Sequence, residues 1–261
     1  VGSDQVWRPR YSPHLPDYFI GFPSQLPRIS YAASFGVNDF DVPAERLPQY
    51  AQWLRQFTAV SVREASAVEL CARLLQRDDV QWVLDPTLLL EVDAYRKLLR
   101  PQSEQGEPQS PYIASYVLDP HAAVQSIAAQ LAARAELPVQ TLLPSGEQRL
   151  PSVSAWLQGI AEAEYVVTDS FHGCVFALLF QKKFIAIGNS ERGLDRFTTL
   201  LTLFSQQHRL ISVSNANDCD TIYQNLQQDI DWDAIELTRA HHKQQSLAFL
   251  QGALQQLEPA A

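Results

Sequence analysis

The chain has 261 residues, of which 46% are hydrophobic and 19% charged, enough to form the core of one large or two medium domains. A net charge of −9 disfavours a general nucleic-acid binder, because affinity for the phosphate backbone depends on clustered Lys and Arg. No apolar run approaches the ~20 residues of a membrane-spanning helix, and the first residues lack a signal-peptide pattern. We therefore expect no transmembrane segment and a location in the cytoplasm, the inner face of the membrane included.

The three cysteines are far apart in the sequence, which predicts neither a disulfide framework nor a thiolate zinc site. The chain begins with Val1 and contains no Met, so we interpret it as a fragment or an altered version of a longer product. The first residues, Gly2, Ser3 and Asp4, read as a turn with polar side chains at the end of a strand. A Gly-Ser-Asp turn alone is a weak signal of function.

Short β-rich apolar runs alternate with stretches of helical period, which predicts strand–helix–strand units and a mostly parallel sheet, an α/β fold. The predicted strands are Arg28–Ala33, Ala59–Val62, Trp82–Leu84, Tyr112–Leu118, Val139–Leu143, Tyr165–Thr168 and Phe184–Ile187. The predicted helices are Ala44–Phe57, Ala65–Arg77, His121–Ala135, Val153–Ala163, His172–Phe180, Leu194–Phe204 and Asp231–Leu257.

A turn-rich segment at 101–111 interrupts the pattern and has no apolar side chain apart from its prolines, so it is predicted to be a linker. It divides the chain into an N-terminal part at 1–100 and a second α/β unit at 112–230. The long helix predicted within 231–261 would either brace the N-terminal domain or pair with a second copy, which leaves a homo-oligomer as an option.

The strongest chemical signal is the strand-to-helix junction at 168–173, where a buried strand is followed by Asp169, Ser170, Phe171 and His172. In open α/β sheets, ligands bind beyond the carboxyl ends of the strands, and helix N-terminal amides there attract anions. These polar side chains would then project into a ligand crevice. The alternative is that Asp169 or Ser170 caps the helix and His172 packs against the sheet.

Two further junctions carry charged residues. Arg63 could direct two donors onto a phosphate or carboxylate, with Ser66 adding a hydrogen bond. The alternative is a surface pair of Arg63 with Glu64, with Ser66 as a helix cap. Asp85 follows a strand directly, where it would either act as a catalytic carboxylate or begin a turn before Pro86.

A polar loop after the predicted strand at 184–187 contains Arg192 and Arg196, which could bind an anion or balance Glu191 and Asp195 as solvated charges. No H-E-x-x-H arrangement or carboxylate-rich loop is present, so no metal site is predicted. The sequence also lacks G-x-G-x-x-G, a Walker loop and G-x-S-x-G, which argues against dehydrogenase, NTPase and α/β-hydrolase functions.

Five segments, in this order, resemble the polysaccharide pyruvyl transferase family. They are Val1–Trp7, Ser30–Gly36, Ser61–Glu64, Val83–Thr87 and Thr168–Gly173. The resemblance extends from Val1 to about Ser212. It implies two Rossmann-like domains, at 1–100 and 112–230, that face a cleft as in GT-B glycosyltransferases, with the first strands of the N-terminal domain missing from this chain.

The resemblance also implies a donor, an acceptor and a site. The donor substrate is phosphoenolpyruvate, and the acceptor is a sugar hydroxyl pair on a cell-surface glycan, an exopolysaccharide or a lipid-linked precursor; no further cofactor is required. By position, His172 corresponds to the family's histidine near the donor and is assigned a catalytic role together with Asp169, and Arg63 corresponds to an arginine that binds the donor anion. The other residues assigned to substrate binding are Gly2, Ser3, Asp4, Ser34, Gly36, Glu64, Asp85, Ser170, Phe171, Gly173, Arg192 and Arg196.

At one position the chain departs from the family pattern. Members that resemble the better understood glycan-modifying enzymes carry Arg two residues before the histidine, whereas this chain has Ser170. One positive charge is therefore missing from the donor site, and Arg192 or Arg196 would have to supply it. Two other functions stay open: a GT-B glycosyltransferase that uses a nucleotide sugar, and a glycan-binding relative without catalytic activity.

Overall fold

Two parallel β-sheets organise the chain, one in each of two compact units. A computed structural model describes residues 1–100, 110–119, 122–143, 150–189, 192–213 and 218–257. Unit 1 consists of Val1–Leu89, Arg192–Leu200 and Ile235–Ala261, and unit 2 consists of Leu90–Glu191 and Leu201–Ala234. Both units are therefore discontinuous in sequence.

The strands are short and the helices vary widely in length. The strands are β1 Ile29–Ala33, β2 Ala59–Val62, β3 Gln81–Trp82, β4 Ile113–Tyr116, β5 Val139–Thr141, β6 Tyr165–Thr168, β7 Lys183–Gly188 and β8 Leu210–Ser212. The helices are α1 Leu15–Tyr18, α2 Leu47–Leu54, α3 Ala65–Leu75, α4 Val92–Arg96, α5 Ala122–Ala135, α6 Val153–Ala161, α7 Phe171–Leu179, α8 Asp195–Leu203, α9 Cys219–Gln227 and α10 Trp232–Gln255. Among the described residues, none of these helices has both the length and the apolar character needed to cross a membrane.

The strand order explains where polar residues meet. Unit 1 has the order β1-β2-β3, and unit 2 has the order β5-β4-β6-β7-β8. Every neighbouring pair is parallel, for example Ile29 opposite Ala59 and Ile113 opposite Tyr165. In each sheet the residues that follow the strands therefore lie along one edge. The parallel α/β class predicted from the sequence is confirmed.

Aromatic side chains build the core of unit 1. The Trp7 ring is fully buried and stacks on Phe19 with ring centroids 5.0 Å apart, while its indole N–H donates to the Tyr18 carbonyl at 3.0 Å. Phe35 and Phe40 pack on the same cluster. Since a buried Trp removes ~150–250 Å² from water, this contact fixes the N-terminal loop to the sheet.

Helix α10 covers the other face of the unit 1 sheet, where Phe249 packs with Ala32 and Val83. The Ser246 hydroxyl accepts the Leu84 N–H at 2.9 Å, so the chain leaves the strand ladder there. This contact explains why β3 ends at Trp82 and not at Leu84, as the sequence pattern predicted.

In unit 2, the apolar faces of β4, β6 and β7 pack against α5 and α9. Arg209 is buried among them and donates to the carbonyls of Phe184, Leu226 and Gln228. Burial lowers the pKa of this guanidinium to about 10. Its role is structural, because its donors bind backbone carbonyl groups inside unit 2.

The predicted helices and strands agree with most of the observed ones, and the differences are local. The helix predicted at Ala44–Phe57 begins with a 3-10 turn at Ala44–Arg46 and ends at Leu54. Helices α1, α4 and α9 and strand β8 were not predicted. Most of the predicted linker, residues 101–109, lies outside the described residues.

Candidate active site

Unit 1 places polar residues at the carboxyl edge of its sheet. Ser34 follows β1, Arg63 and Glu64 follow β2, and Asp85 comes three residues after β3. All four side chains are buried, so the alternative of a surface pair between Arg63 and Glu64 is wrong. A buried charge requires a partner, which makes the contacts of this cluster informative.

Arg63 and Asp85 form the central ion pair. Nη1 of Arg63 lies 2.8 Å from Oδ2 of Asp85, and both side chains are at most 2% exposed. The other Asp85 oxygen accepts the Thr87 N–H at 3.0 Å and its hydroxyl at 2.6 Å. Asp85 therefore begins a turn, as one sequence interpretation held, and also holds the guanidinium. Burial alone would lower the pKa of Arg63, but Glu64 and Asp85 outweigh it and raise that pKa.

Glu64 is the second buried carboxylate of unit 1. Its Oε1 accepts the Ser34 hydroxyl and lies 3.6 Å from Nε of Arg63. Its Oε2 has no hydrogen-bond partner among the described residues. Burial raises the pKa of Glu64, against the opposing effects of Arg63, Ser34 and Arg196.

The N-terminal segment lies over the same edge. The Asp4 carbonyl accepts the Ser34 N–H at 3.2 Å, and its carboxylate lies 3.8 Å from Nη2 of Arg63 while remaining 75% exposed. Ser3 is partly exposed, and Gly2 is exposed with open space around it. Of the three residues of the predicted turn, Asp4 is thus the one that the structure places beside the arginine.

Arg196, in the first turn of α8, is buried in unit 1 at 7% exposure. Burial lowers its pKa to about 10, with a further lowering from the like charge of Arg63. The alternative that Arg196 is a solvated charge is therefore wrong. Arg192 is only partly buried.

The segment that carries these arginines approaches the Gly36 turn closely. Gly193 has φ +84°, and a Cβ there would overlap the Gly36 carbonyl oxygen. Ser66, expected as a cap or an anion ligand, instead donates to Oδ2 of Asp195 at 2.7 Å. These contacts set the position of the first residues of α8, which belong to unit 1.

Replacing Gly193 with Ala is expected to destabilise the protein by about 1–3 kcal/mol, because the left-handed backbone and the overlap with Gly36 both disfavour a side chain. The matched control is Gly252→Ala in α10, where the added methyl group meets open space and should stabilise the helix by up to about 1 kcal/mol. Urea denaturation followed by circular dichroism measures both changes. Equal stabilities for the two variants would show that the approach of Gly193 to Gly36 is not tight.

In unit 2, the N-terminus of α7 follows β6 directly. The Ser170 hydroxyl accepts the Gly173 N–H at 3.3 Å and thereby caps the helix. A Cβ at Gly173 would overlap the Thr168 side chain, so only glycine allows this close approach of helix and strand. The alternative that Ser170 is the cap is confirmed.

Asp169 holds a neighbouring loop in unit 2. Its two carboxylate oxygens accept the N–H groups of Leu118 and Asp119 at 2.6 and 2.9 Å. The Asp119 carboxylate in turn accepts from Asn189 at 3.0 Å. Asp169 thus ties together the segments that follow β4 and β6, and through Asp119 the segment after β7.

His172 occupies the second position of α7 and is only partly buried. Its ring packs edge-on against Phe171, with centroids 5.3 Å apart. The imidazole therefore lies at the carboxyl edge of the unit 2 sheet and keeps access to solvent. The ring is partly exposed at this position, and the alternative that it packs against the sheet stays a prediction.

Sequence reasoning missed several residues that shape these sites. Gln5 and Arg8 are buried in unit 1, where Nη1 of Arg8 donates to Oε1 of Gln5 at 2.8 Å. Thr87 and Asp119 complete the contacts of Asp85 and Asp169. Gln5, Arg8 and Thr87 lie within or beside the recognised motifs, and Asp119 follows the predicted strand Tyr112–Leu118, but a single polar side chain in a loop gives no signal of what it will contact.

Buried arginine at strand ends and a histidine at a helix N-terminus are features of α/β proteins that bind anions. The polysaccharide pyruvyl transferase family model matches residues 1–191, and the chain belongs to this family. The predicted resemblance is thereby confirmed, although the match ends before Arg192 and before the expected limit near Ser212. Membership implies a transferase with a glycan acceptor. A search of curated proteins found no significant match.

Proposed function

We propose that this protein transfers a pyruvyl group from phosphoenolpyruvate to two hydroxyl groups of a sugar, on a cell-surface glycan or its lipid-linked precursor. The main support is the buried Arg63, which a family motif places at a strand end and which Asp85 holds in a fixed orientation. A preorganised guanidinium suits a carboxylate or phosphate group, because its paired donors match two oxygens of such a ligand.

His172 is the proposed acid and base. In the first half-reaction, its imidazolium would deliver a proton to the methylene carbon of the donor, and the resulting imidazole would take the proton of the sugar hydroxyl that attacks the neighbouring carbon. In the second, the imidazolium would protonate the phosphate as its bond to that carbon breaks, and the imidazole would take the proton of the second hydroxyl, which closes the ketal. An imidazole can both donate and accept a proton, which suits these proton transfers.

The remaining roles follow from the contacts within each unit. Arg63 would hold the donor anion, with Ser34, Glu64 and Asp85 orienting the guanidinium. In unit 2, Asp169 would fix the segments around His172 instead of touching the substrate, because both of its carboxylate oxygens already accept backbone N–H groups. The proposal requires His172 and Arg63 to reach one ligand.

The direct test is to incubate the protein with phosphoenolpyruvate and a panel of p-nitrophenyl hexosides. We expect release of inorganic phosphate and, in mass spectra, an acceptor heavier by one pyruvate less one water. Isothermal calorimetry should show saturable binding of phosphoenolpyruvate and none of nucleotide sugars. Saturable heat from a nucleotide sugar alone would instead assign a glycosyltransferase.

Ser170 favours a second candidate, a relative that binds glycans without turning them over. Its hydroxyl caps α7, and this chain has no positively charged side chain at the motif position where family members carry Arg. This candidate predicts that a hexoside binds, with no phosphate released under any condition tested. Formation of the pyruvyl ketal would exclude it.

A further inference from the structure

Two buried charged groups of unit 1 lack partners at individual atoms. Nε of Arg196 has no hydrogen-bond acceptor among the described residues, and no carboxylate there forms an ion pair with this side chain. Oε2 of Glu64 has no donor. Both groups are more than nine-tenths buried, so each leaves an uncompensated polar atom inside the protein.

Asp85, in the same unit, is a buried carboxylate with all of its oxygen atoms hydrogen-bonded. Both of its oxygens accept hydrogen bonds, from Arg63 and from Thr87. Glu64 is equally buried but has one oxygen that no donor reaches. Of the two carboxylates, Glu64 is therefore the one whose neutral, protonated form the surroundings tolerate better.

The charges of four of the buried groups, Arg63, Arg196, Glu64 and Asp85, point the same way. With Glu64 ionised, the two arginines, Arg63 and Arg196, balance the two carboxylates, Glu64 and Asp85. With Glu64 protonated, the four groups carry one net positive charge, which one further anionic group would neutralise. Asp4 is 75% exposed and so contributes through a more solvated, better screened charge.

We propose that unit 1 binds an oxyanion, a carboxylate or phosphate group, against Arg196 and Arg63, and that Glu64 takes up one proton when this anion binds. The inference rests on the proposed function, from which it takes an anionic donor, and adds a residue outside the matched family region together with a proton linkage.

The sign of the linkage follows from the groups that surround Glu64. These are Arg63 and Arg196, the Ser34 hydroxyl and the Phe35 amide, all of which favour the ionised form, whereas burial raises the pKa and favours the neutral form. A bound anion offsets the two arginines, so it raises the pKa of Glu64 further. Anion affinity is then highest below the pKa of the free protein and falls as the pH rises through the pKa of the complex, by at most about tenfold per pH unit for one proton.

The experiment is calorimetric titration with sulfate, a probe whose own charge is constant from about pH 5 to about pH 8, in buffers with different heats of ionisation. We expect the observed heat to vary with the buffer, which reports proton uptake on binding. The Glu64→Gln variant should still bind sulfate but lose this dependence. The control, Asp4→Asn, removes an exposed carboxylate of the same cluster and should keep it.

A second variant tests the anion ligand itself. Arg196→Gln should weaken sulfate binding by about tenfold to a hundredfold, as expected for lost charged hydrogen bonds. Its melting temperature should equal or exceed that of the wild type, because a buried charge without an ion pair is removed. Unchanged sulfate affinity in this variant would overturn the assignment of Arg196.

The outcomes separate the inference from the function on which it rests. Heats that are independent of buffer over the whole pH range, with sulfate and phosphoenolpyruvate both binding, overturn the proton linkage and leave the proposed function intact. Absence of binding by either anion overturns both. Buffer dependence that persists in a folded Glu64→Gln variant, as judged by thermal melting, assigns the proton elsewhere.

Discussion

Replacing His172 with Gln is expected to lower the rate of pyruvyl transfer by about 10²–10⁴-fold, the usual contribution of a general acid and base. Gln keeps a polar side chain of similar length at the second position of α7 but cannot exchange a proton near neutral pH. The helix should form unchanged, because Ser170 supplies its cap. The measurement is the initial rate of phosphate release from phosphoenolpyruvate in the presence of an acceptor hexoside.

The matched control for this variant is His241→Gln, the same chemical change at an exposed position of α10. Its turnover should equal that of the wild type, and circular dichroism should show that both variants are folded. A folded His172→Gln protein with near-normal turnover would remove the histidine from the mechanism. The family assignment would stand, but another group would have to supply the proton.

Replacing Arg63 with Gln is expected to destabilise the protein by about 3–5 kcal/mol, the usual cost of removing one partner from a buried ion pair. Asp85 loses its contact at 2.8 Å, and Glu64 loses the nearest positive charge. Urea denaturation measures the loss. The control, Arg73→Gln on the exposed side of α3, should change stability by no more than about 0.5 kcal/mol.

The loss of folding stability in the Arg63→Gln variant should depend on pH. Without the arginine, the pKa of Glu64 lies still further above the value of an unfolded Glu, about 4.3, so the folded form of the variant is penalised at neutral pH. This penalty disappears as the pH falls below that unfolded value, because Glu64 is then protonated in both states. A deficit that stays constant from neutral to acid pH would show that it comes from lost packing and not from charge.

The pairing of Arg63 can be isolated with a double variant. Arg63→Gln combined with Asp85→Asn removes both charges of the ion pair together. Its loss of stability should be smaller than the sum of the two single losses, because neither partner is left buried and charged. Additive losses would mean that the two side chains stabilise the fold independently.

Much of the fold could be predicted from local sequence patterns. Short apolar runs such as Ala59–Val62 and Tyr165–Thr168 became strands with the predicted bounds. The change from apolar to polar residues and back to an apolar helix correctly located His172 at the start of α7. Strand β8 and helix α9 were missed because the segment around them is mostly polar, and α9 has only Ile222 and Leu226 buried.

The contacts within the site were less predictable. Sequence reasoning named Arg63, Glu64 and Asp85 but could not decide whether they were exposed, because that depends on residues distant in the chain. For Asp85 it left two roles open, a catalytic carboxylate and the start of a turn. The structure shows the turn, together with a buried ion pair to Arg63. It also could not place the segment at 192–200 in unit 1, since its contacts, such as Gly193 with Gly36, join positions far apart in sequence.

The composition of the two units has a consequence for how the protein is made. Helix α10 returns to unit 1, where Ser246 binds the Leu84 amide and Arg239 donates to the Leu88 carbonyl at 3.0 Å. During synthesis, the ribosome therefore produces every residue of unit 2 before the last part of unit 1 appears. Ala32 and Val83 of the nascent chain therefore stay uncovered until translation has passed Phe249, which packs on them in the folded protein. Chaperones that shield apolar surface would be needed most during this interval.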